Sequence, residues 1–128
     1  MVETRELLDG IVSGIMLEKV LAVCLIRDDG IPYIFKSKDV LITQQSVQPI
    51  ASINNISKYI HSELTNDSKA TSEKTYVFIK GDKHDYIFYP VDASHTLVLF
   101  IDSMNDDEMD SFIERVKISC KEILNVLE

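Results

Sequence analysis

The chain has 128 residues, enough for one domain with a substantial core and too few for two ordinary ones. Hydrophobic residues make up 45% and charged residues 27%, a globular balance that excludes a wholly disordered or fibrous chain. A formal net charge of −8, with no Lys/Arg cluster to offset it, repels phosphate backbones and anionic lipid, so nucleic acid is not an expected partner and no direct membrane insertion is expected.

Leu7, Leu8, Ile11, Val12 and Ile15 recur at helical spacing and predict a short amphipathic helix from Val2 to about Met16. Gly10 and Gly14 weaken it by about 1 kcal/mol each relative to Ala, so it needs a tertiary partner to persist. From Lys19 to Arg27 the run is apolar at odd and even positions, which suits a strand buried on both faces and places this first strand in the middle of a sheet. Asp28-Asp29-Gly30 supplies hairpin-turn chemistry, and Ile31 to Lys36 resumes as a second strand. Pro32 cannot donate to a ladder, so this strand is expected at an edge.

A polar connection follows. Pro49 then introduces Ile50, Ile53, Ile56, Ile60 and Leu64, one face of a helix of about 17 residues. Thr65 to Lys74 holds no apolar residue larger than Ala70 and reads as a solvated loop. Three short strands come next, Thr75 to Lys80, Tyr86 to Pro90 and His95 to Asp102, forming a meander. The last of them, through Leu97-Val98-Leu99-Phe100-Ile101, is again apolar on both faces and belongs beside the first. Asn105 or Ser103 caps a final helix whose first turn holds Asp106, Asp107 and Glu108, where carboxylates complement the positive end of the helix dipole. Its apolar stripe runs from Met109 through Phe112, Val116, Cys120 and Ile123 to Leu127.

With the two doubly buried strands as central neighbours, the sheet order is 2-1-5-4-3. The first and last helices cover one face and the middle helix the other, giving an α/β (α+β) three-layer sandwich of the profilin-like kind with a five-stranded antiparallel sheet. The two edges are then unequal. The second strand is blunted by Pro32, whereas the third, Tyr76-Val77-Phe78-Ile79, carries neither proline nor charge and invites a twofold copy to extend the sheet. The middle helix offers two further surfaces. The flank Val47, Ala51, Asn54, Lys58 and His61 suits either close approach of a second helix or plain solvation, and the outer row Asn55, Tyr59 and Ser62 includes an aromatic of the kind that anchors partners.

Chemistry is sparse. His61, His84 and His95 lack ligand spacing, no GxxxxGK[ST] or GxGxxG pattern occurs, and Asp106–Asp110 does not follow an EF-hand spacing, so no metal, cofactor or catalytic residue is expected and the chain is read as a non-enzyme. Cys24 and Cys120 fall at core positions, and Met1 to Asp9 has no long apolar stretch, which together point to a reducing, cytoplasmic setting.

The order helix, hairpin, helix, three-stranded meander, long helix, with Val20–Ile26 followed by Asp28-Asp29-Gly30 and Ile31-Pro32-Tyr33-Ile34, resembles the roadblock (dynein light-chain roadblock) family over nearly the whole chain. That resemblance implies a homodimer, or a pair with a roadblock-like paralogue, sharing a sheet through the third strand. It also implies regulation or scaffolding of small Ras-like GTPases, with the middle helices of the two copies lying together. A small-molecule sensor of PAS or GAF type is the chief alternative, but it needs an internal cavity that the large side chains on both sheet faces would fill. A longin-type trafficking module begins with the hairpin, whereas here a helix precedes it.

Overall fold

A computed structural model of the chain describes residues 2–27, 31–47, 76–92 and 94–127. Helix α1 (Val2–Ile15) leads into strand β1 (Val20–Arg27), and strand β2 (Pro32–Ser37) is followed by a single 3-10 turn (Gln44–Val47). Strands β3 (Val77–Ile79), β4 (Asp85–Pro90) and β5 (His95–Ile101) precede the long helix α2 (Asp106–Leu127). The sheet order is β2-β1-β5-β4-β3 with every neighbour antiparallel, as the sequence predicts.

The central strands explain why their sequences do not alternate. Val20, Val23 and Leu25 of β1 join Leu97, Leu99 and Ile101 of β5 in one core, while Ala22, Cys24 and Ile26 join Val98 and Phe100 in another across the sheet. Successive side chains point to opposite faces, so a strand with a core on each side must be apolar throughout. The two described α-helices both lie on the first of these faces. Leu8, Val12 and Ile15 from α1 and Phe112, Val116, Cys120 and Ile123 from α2 close that core.

Local chemistry fixes where α2 begins. The Asn105 side-chain oxygen accepts from the Glu108 backbone N–H at 2.8 Å, and Glu108 Oε1 accepts from the Asn105 N–H at 3.0 Å, a reciprocal capping box. Of the two caps the sequence allows, Asn105 is the one used. Lys19 Nζ sits 2.8 Å from the same carboxylate and ties the start of α2 to the start of β1. The Lys19 hydrogen bond, followed by that from Asn105, holds the Glu108 carboxyl below its ordinary range.

Two sequence expectations change. The third strand is shorter than its predicted span, because only Val77 to Ile79 pair with β4, while Tyr76 and Lys80 lie outside the ladder. The connection after β2 is not simply polar. Ile42 is buried in the second core, whereas Val40 and Leu41 are 88% and 82% exposed on the preceding turn. That turn closes with an Ile42 N–H to Asp39 O bond of 3.0 Å and a Leu41 N–H to Asp39 Oδ1 bond of 2.9 Å. The Asp28–Gly30 turn, the helix predicted from Pro49 to Leu64, the Thr65–Lys74 loop and Thr75 lie outside the described residues.

Candidate self-association site

The sheet ends in β2 on one side and β3 on the other, and the two borders differ in detail. Along β2 the register with β1 runs Leu25 to Ile34 and then jumps to Ile26 opposite Pro32, so Tyr33 is an extra residue, a bulge. The Lys38 N–H donates to Leu21 O at 2.8 Å. Backbone direction alternates along a strand, so the N–H and C=O of Phe35 and Ser37 face outward, away from β1. Only that short stretch could accept a further strand. Pro32 has no N–H, the bulge twists the border at Tyr33, and Lys36 stands on it with its ammonium 2.9 Å from Asp9 of α1. Proline, a bulge and an edge lysine are three ways of discouraging strand addition, and β2 combines them.

β3 has none of these guards. Val77 and Ile79 are half-buried against the second core, beside Phe88 and Tyr86 respectively. Phe78 points to the helix side and is 41% exposed, because it stands opposite Ile87 at the last strand of the sheet. Tyr76, just before the strand, stacks on Tyr89 with ring centroids 6.3 Å apart and planes 10° off parallel. The backbone before β3 is thereby anchored to the core, since Tyr89 is buried there. The turn after β3 is fixed by close approach: a Cβ on Gly81 would lie 2.3 Å from the His84 carbonyl oxygen. The Gly81 N–H also reaches Asp85 Oδ1 at 3.3 Å. Glycine therefore allows the tight return that keeps so short a strand in register with β4.

Of the predicted edge residues, Val77, Phe78 and Ile79 form the strand and Tyr76 flanks it. Val47 ends the 3-10 turn. The remaining helix-flank and partner-face residues, Ala51, Asn54, Asn55, Lys58, Tyr59, His61 and Ser62, lie outside the described residues. Sequence reasoning missed the Val40–Leu41 tip; two adjacent large apolar residues after Asp39 were its only sign.

The groups that could bear chemistry sit in structural roles. Burial pushes the Cys24 thiol up to about 12, so little thiolate forms at neutral pH. His84 lies edge-on to Tyr86 at 4.9 Å and tilted over Phe100 at 5.4 Å. His95 Nδ1 is 3.0 Å from Asp92 Oδ1, which also accepts the Ser94 N–H at 2.7 Å and so locks the β4–β5 turn. Partial burial of Asp92 opposes ionisation, but the His95 and Ser94 hydrogen bonds outweigh it and hold the carboxyl below its ordinary value. Among the described residues no group of three or more His, Cys, Asp or Glu could hold a metal, and no helix is long and apolar enough to cross a membrane.

No family model matches the sequence, and no curated protein matches it. Solved structures do share its fold. An MglB structure with a tetrameric arrangement superposes with a TM-score of 0.70 at 12% identity, over 96% of this chain and 89% of that one. A Roadblock/LC7 domain from Streptomyces avermitilis gives 0.70 at 13% identity, over 93% and 96% of the two chains. The gliding protein MglB from Thermus thermophilus gives 0.70 at 11% identity, over 96% and 90%. At this level of identity the likeness is one of architecture: the chain has a roadblock-like fold.

Proposed function

We propose that this protein is a non-enzymatic docking platform that pairs with a second copy, or with a roadblock-like paralogue, through β3, and that the paired module binds and regulates a small Ras-like GTPase. The observation that carries the reading is the contrast between the two sheet borders within a roadblock-like fold. β2 is guarded by Pro32, the Tyr33 bulge and Lys36, while β3 presents Phe78 and, among the described residues, pairs its backbone with β4 alone. An open edge is satisfied most economically by an identical strand running antiparallel across a twofold axis, and a guarded opposite edge stops the sheet from growing further. Self-association is also consistent with the tetrameric arrangement of the MglB neighbour. The GTPase enters through the roadblock resemblance. Any effect on nucleotide turnover would come from repositioning the partner's own groups.

The test is a titration of the purified protein against small GTPases in the GDP-bound and GTP-analogue-bound states, with mass measured alongside. Binding that differs between the two states, and that weakens in Tyr59→Ala, supports the reading. A protein that stays monomeric at high concentration, or a dimer that binds no GTPase in either state, overturns it.

A further inference from the structure

Hydrogen bonds in the neighbouring hairpin fix which backbone groups β3 leaves for a partner. The Val91 N–H donates to His95 O at 3.0 Å, and continuing the Tyr89–Leu97 and Pro90–Thr96 register sets Val91 opposite His95, so Val91 turns toward β5. On the far side of β5, the Asp102 N–H donates to Lys19 O at 2.8 Å, which turns Asp102 toward β1 and Leu99 and Ile101 toward β4. Backbone direction alternates along a strand, so Ile87 and Tyr89 face β5 while Tyr86 and Phe88 face β3.

Phe88 and Tyr86 stand opposite Val77 and Ile79, whose N–H and C=O groups are therefore directed to β4. The same alternation leaves Tyr76, Phe78 and Lys80 with their backbone groups pointing out of the sheet. It also puts the side chains of all three on the helix side, the face of Ile87. Extending the β3–β4 register by one residue places Tyr76 opposite Tyr89, where the two rings stack. One face of the Tyr76 ring is thus covered by Tyr89, and the other looks across the open border. Lys80, at the other end of the strand, is exposed.

The geometry points to a single register for the second copy: a twofold axis through the Phe78 pair, with Tyr76 of each copy opposite Lys80 of the other. This register rests on the β3 pairing proposed above and adds which residues meet. Only outward-facing residues can exchange hydrogen bonds across the border, so the copy can slide only in steps that match Tyr76, Phe78 and Lys80 with one another. With the axis at Phe78 all three find a mate, and at two bonds per pair about six hydrogen bonds form. An axis at Val77 sets Tyr76 opposite Phe78 but puts Lys80 beyond the strand and its flanks. An axis at Ile79 sets Phe78 opposite Lys80 but leaves Tyr76 facing the Gly81–His84 turn, where the chain bends away. Either alternative forms only about four bonds. Side chains agree with the backbone. The two Phe78 rings cover each other across the axis, and each Lys80 ammonium reaches the uncovered face of a Tyr76 ring already backed by Tyr89, a cation–ring contact. The two lysines themselves stay about 14 Å apart along the border, too far to repel strongly.

Amide hydrogen exchange followed by NMR over a concentration series tests this on the wild-type chain, with mass measured alongside. From the monomeric to the dimeric range the Tyr76, Phe78 and Lys80 amides should slow by about tenfold or more, while Val77 and Ile79, already bonded to β4, change less. Disulfide trapping reads the same register. Residues directly opposite hold their Cα atoms about 5.5 Å apart, within reach of a disulfide, whereas a two-residue offset adds about 7 Å along the strand. Mixed Tyr76→Cys and Lys80→Cys chains should cross-link under mild oxidation although neither does alone. Phe78→Cys should cross-link to itself, and Val77→Cys and Ile79→Cys should not; the wild-type chain, whose Cys24 and Cys120 are buried, is the unlinked control. Self-linking of Val77→Cys or Ile79→Cys, or a dimer in which the Tyr76 or the Lys80 amide stays unprotected, overturns the register and leaves the edge pairing standing. A dimer that protects none of the three amides, or a chain that is monomeric throughout, overturns the edge pairing and the register together.

Discussion

Replacing Phe78 with Lys is the most direct perturbation of the open edge. Phe78 is 41% exposed, and a phenylalanine side chain presents about 200 Å², so roughly 80 Å² is left for a partner to cover. At about 25 cal/mol per Å² that is about 2 kcal/mol per copy, and a twofold contact counts it twice. Removing both, and placing two like charges near the axis, should weaken pairing by about 4 kcal/mol, close to a thousandfold in dissociation constant. The monomer should barely notice, because the lysine stem can cover the part of the site that the ring buries and the ammonium can reach water. Analytical ultracentrifugation from micromolar to millimolar concentration reads the dissociation constant, and a thermal melt below it reads monomer stability. A variant that dimerises as tightly as wild type refutes edge pairing at Phe78, and so does one whose monomer unfolds outright.

Further outcomes follow from the same geometry. Gly81→Ala places a Cβ 2.3 Å from the His84 carbonyl, so the β3–β4 turn must shift; a loss of about 1–3 kcal/mol in urea unfolding, with weaker pairing because β3 moves, is expected. Asp92 has a folded-state carboxyl below its ordinary value of 3.8, so its stabilisation is present above that value and is lost as pH falls through the lower one. Melting temperature against pH should therefore show a shallower acid decline in Asp92→Asn than in wild type. The Cys24 thiol, buried and raised to about 12, should resist a thiol reagent at neutral pH in native protein and react on denaturation; fast native labelling of Cys24 would contradict its placement in the core. Pro32→Val combined with Lys36→Val should open the β2 border and produce concentration-dependent higher assemblies, seen by light scattering, where wild type gives none through that edge.

Much of the architecture was legible because burial on both faces leaves a compositional mark. Val20–Ile26 and Leu97–Ile101 lack alternation, and only a central strand between two cores needs that, so the order of the sheet followed. The capping of α2 was legible for a local reason, since Asn105 and Glu108 satisfy each other's backbone within one turn. What escaped depended on distant geometry. The Tyr33 bulge is a mismatch between two strands and has no signature in either alone. The early end of β3 after Ile79 reflects the turn just before Tyr86, which the close approach of Gly81 to the His84 carbonyl sets. Val40 and Leu41 look like core residues by type; their exposure comes from a hydrogen-bonded turn that turns Ile42 inward and leaves them at its tip.

The two borders have to be considered together, because an adhesive edge is useful only if its growth is limited. A sheet with both edges open would add copies without end, the route by which stacked strands become fibrils. Here the closed edge is built from residues that also serve the fold. Lys36 reaches back to Asp9 and so pins α1 over the sheet, and Lys38 donates to the Leu17 and Glu18 carbonyls in the turn that follows α1. The helix that shields one core thus contributes to guarding the β2 border, leaving β3 as the unguarded edge. Pairing there puts the helical layers of both copies on one side of a continuous sheet, because strands related by a twofold axis normal to the sheet keep the same face up.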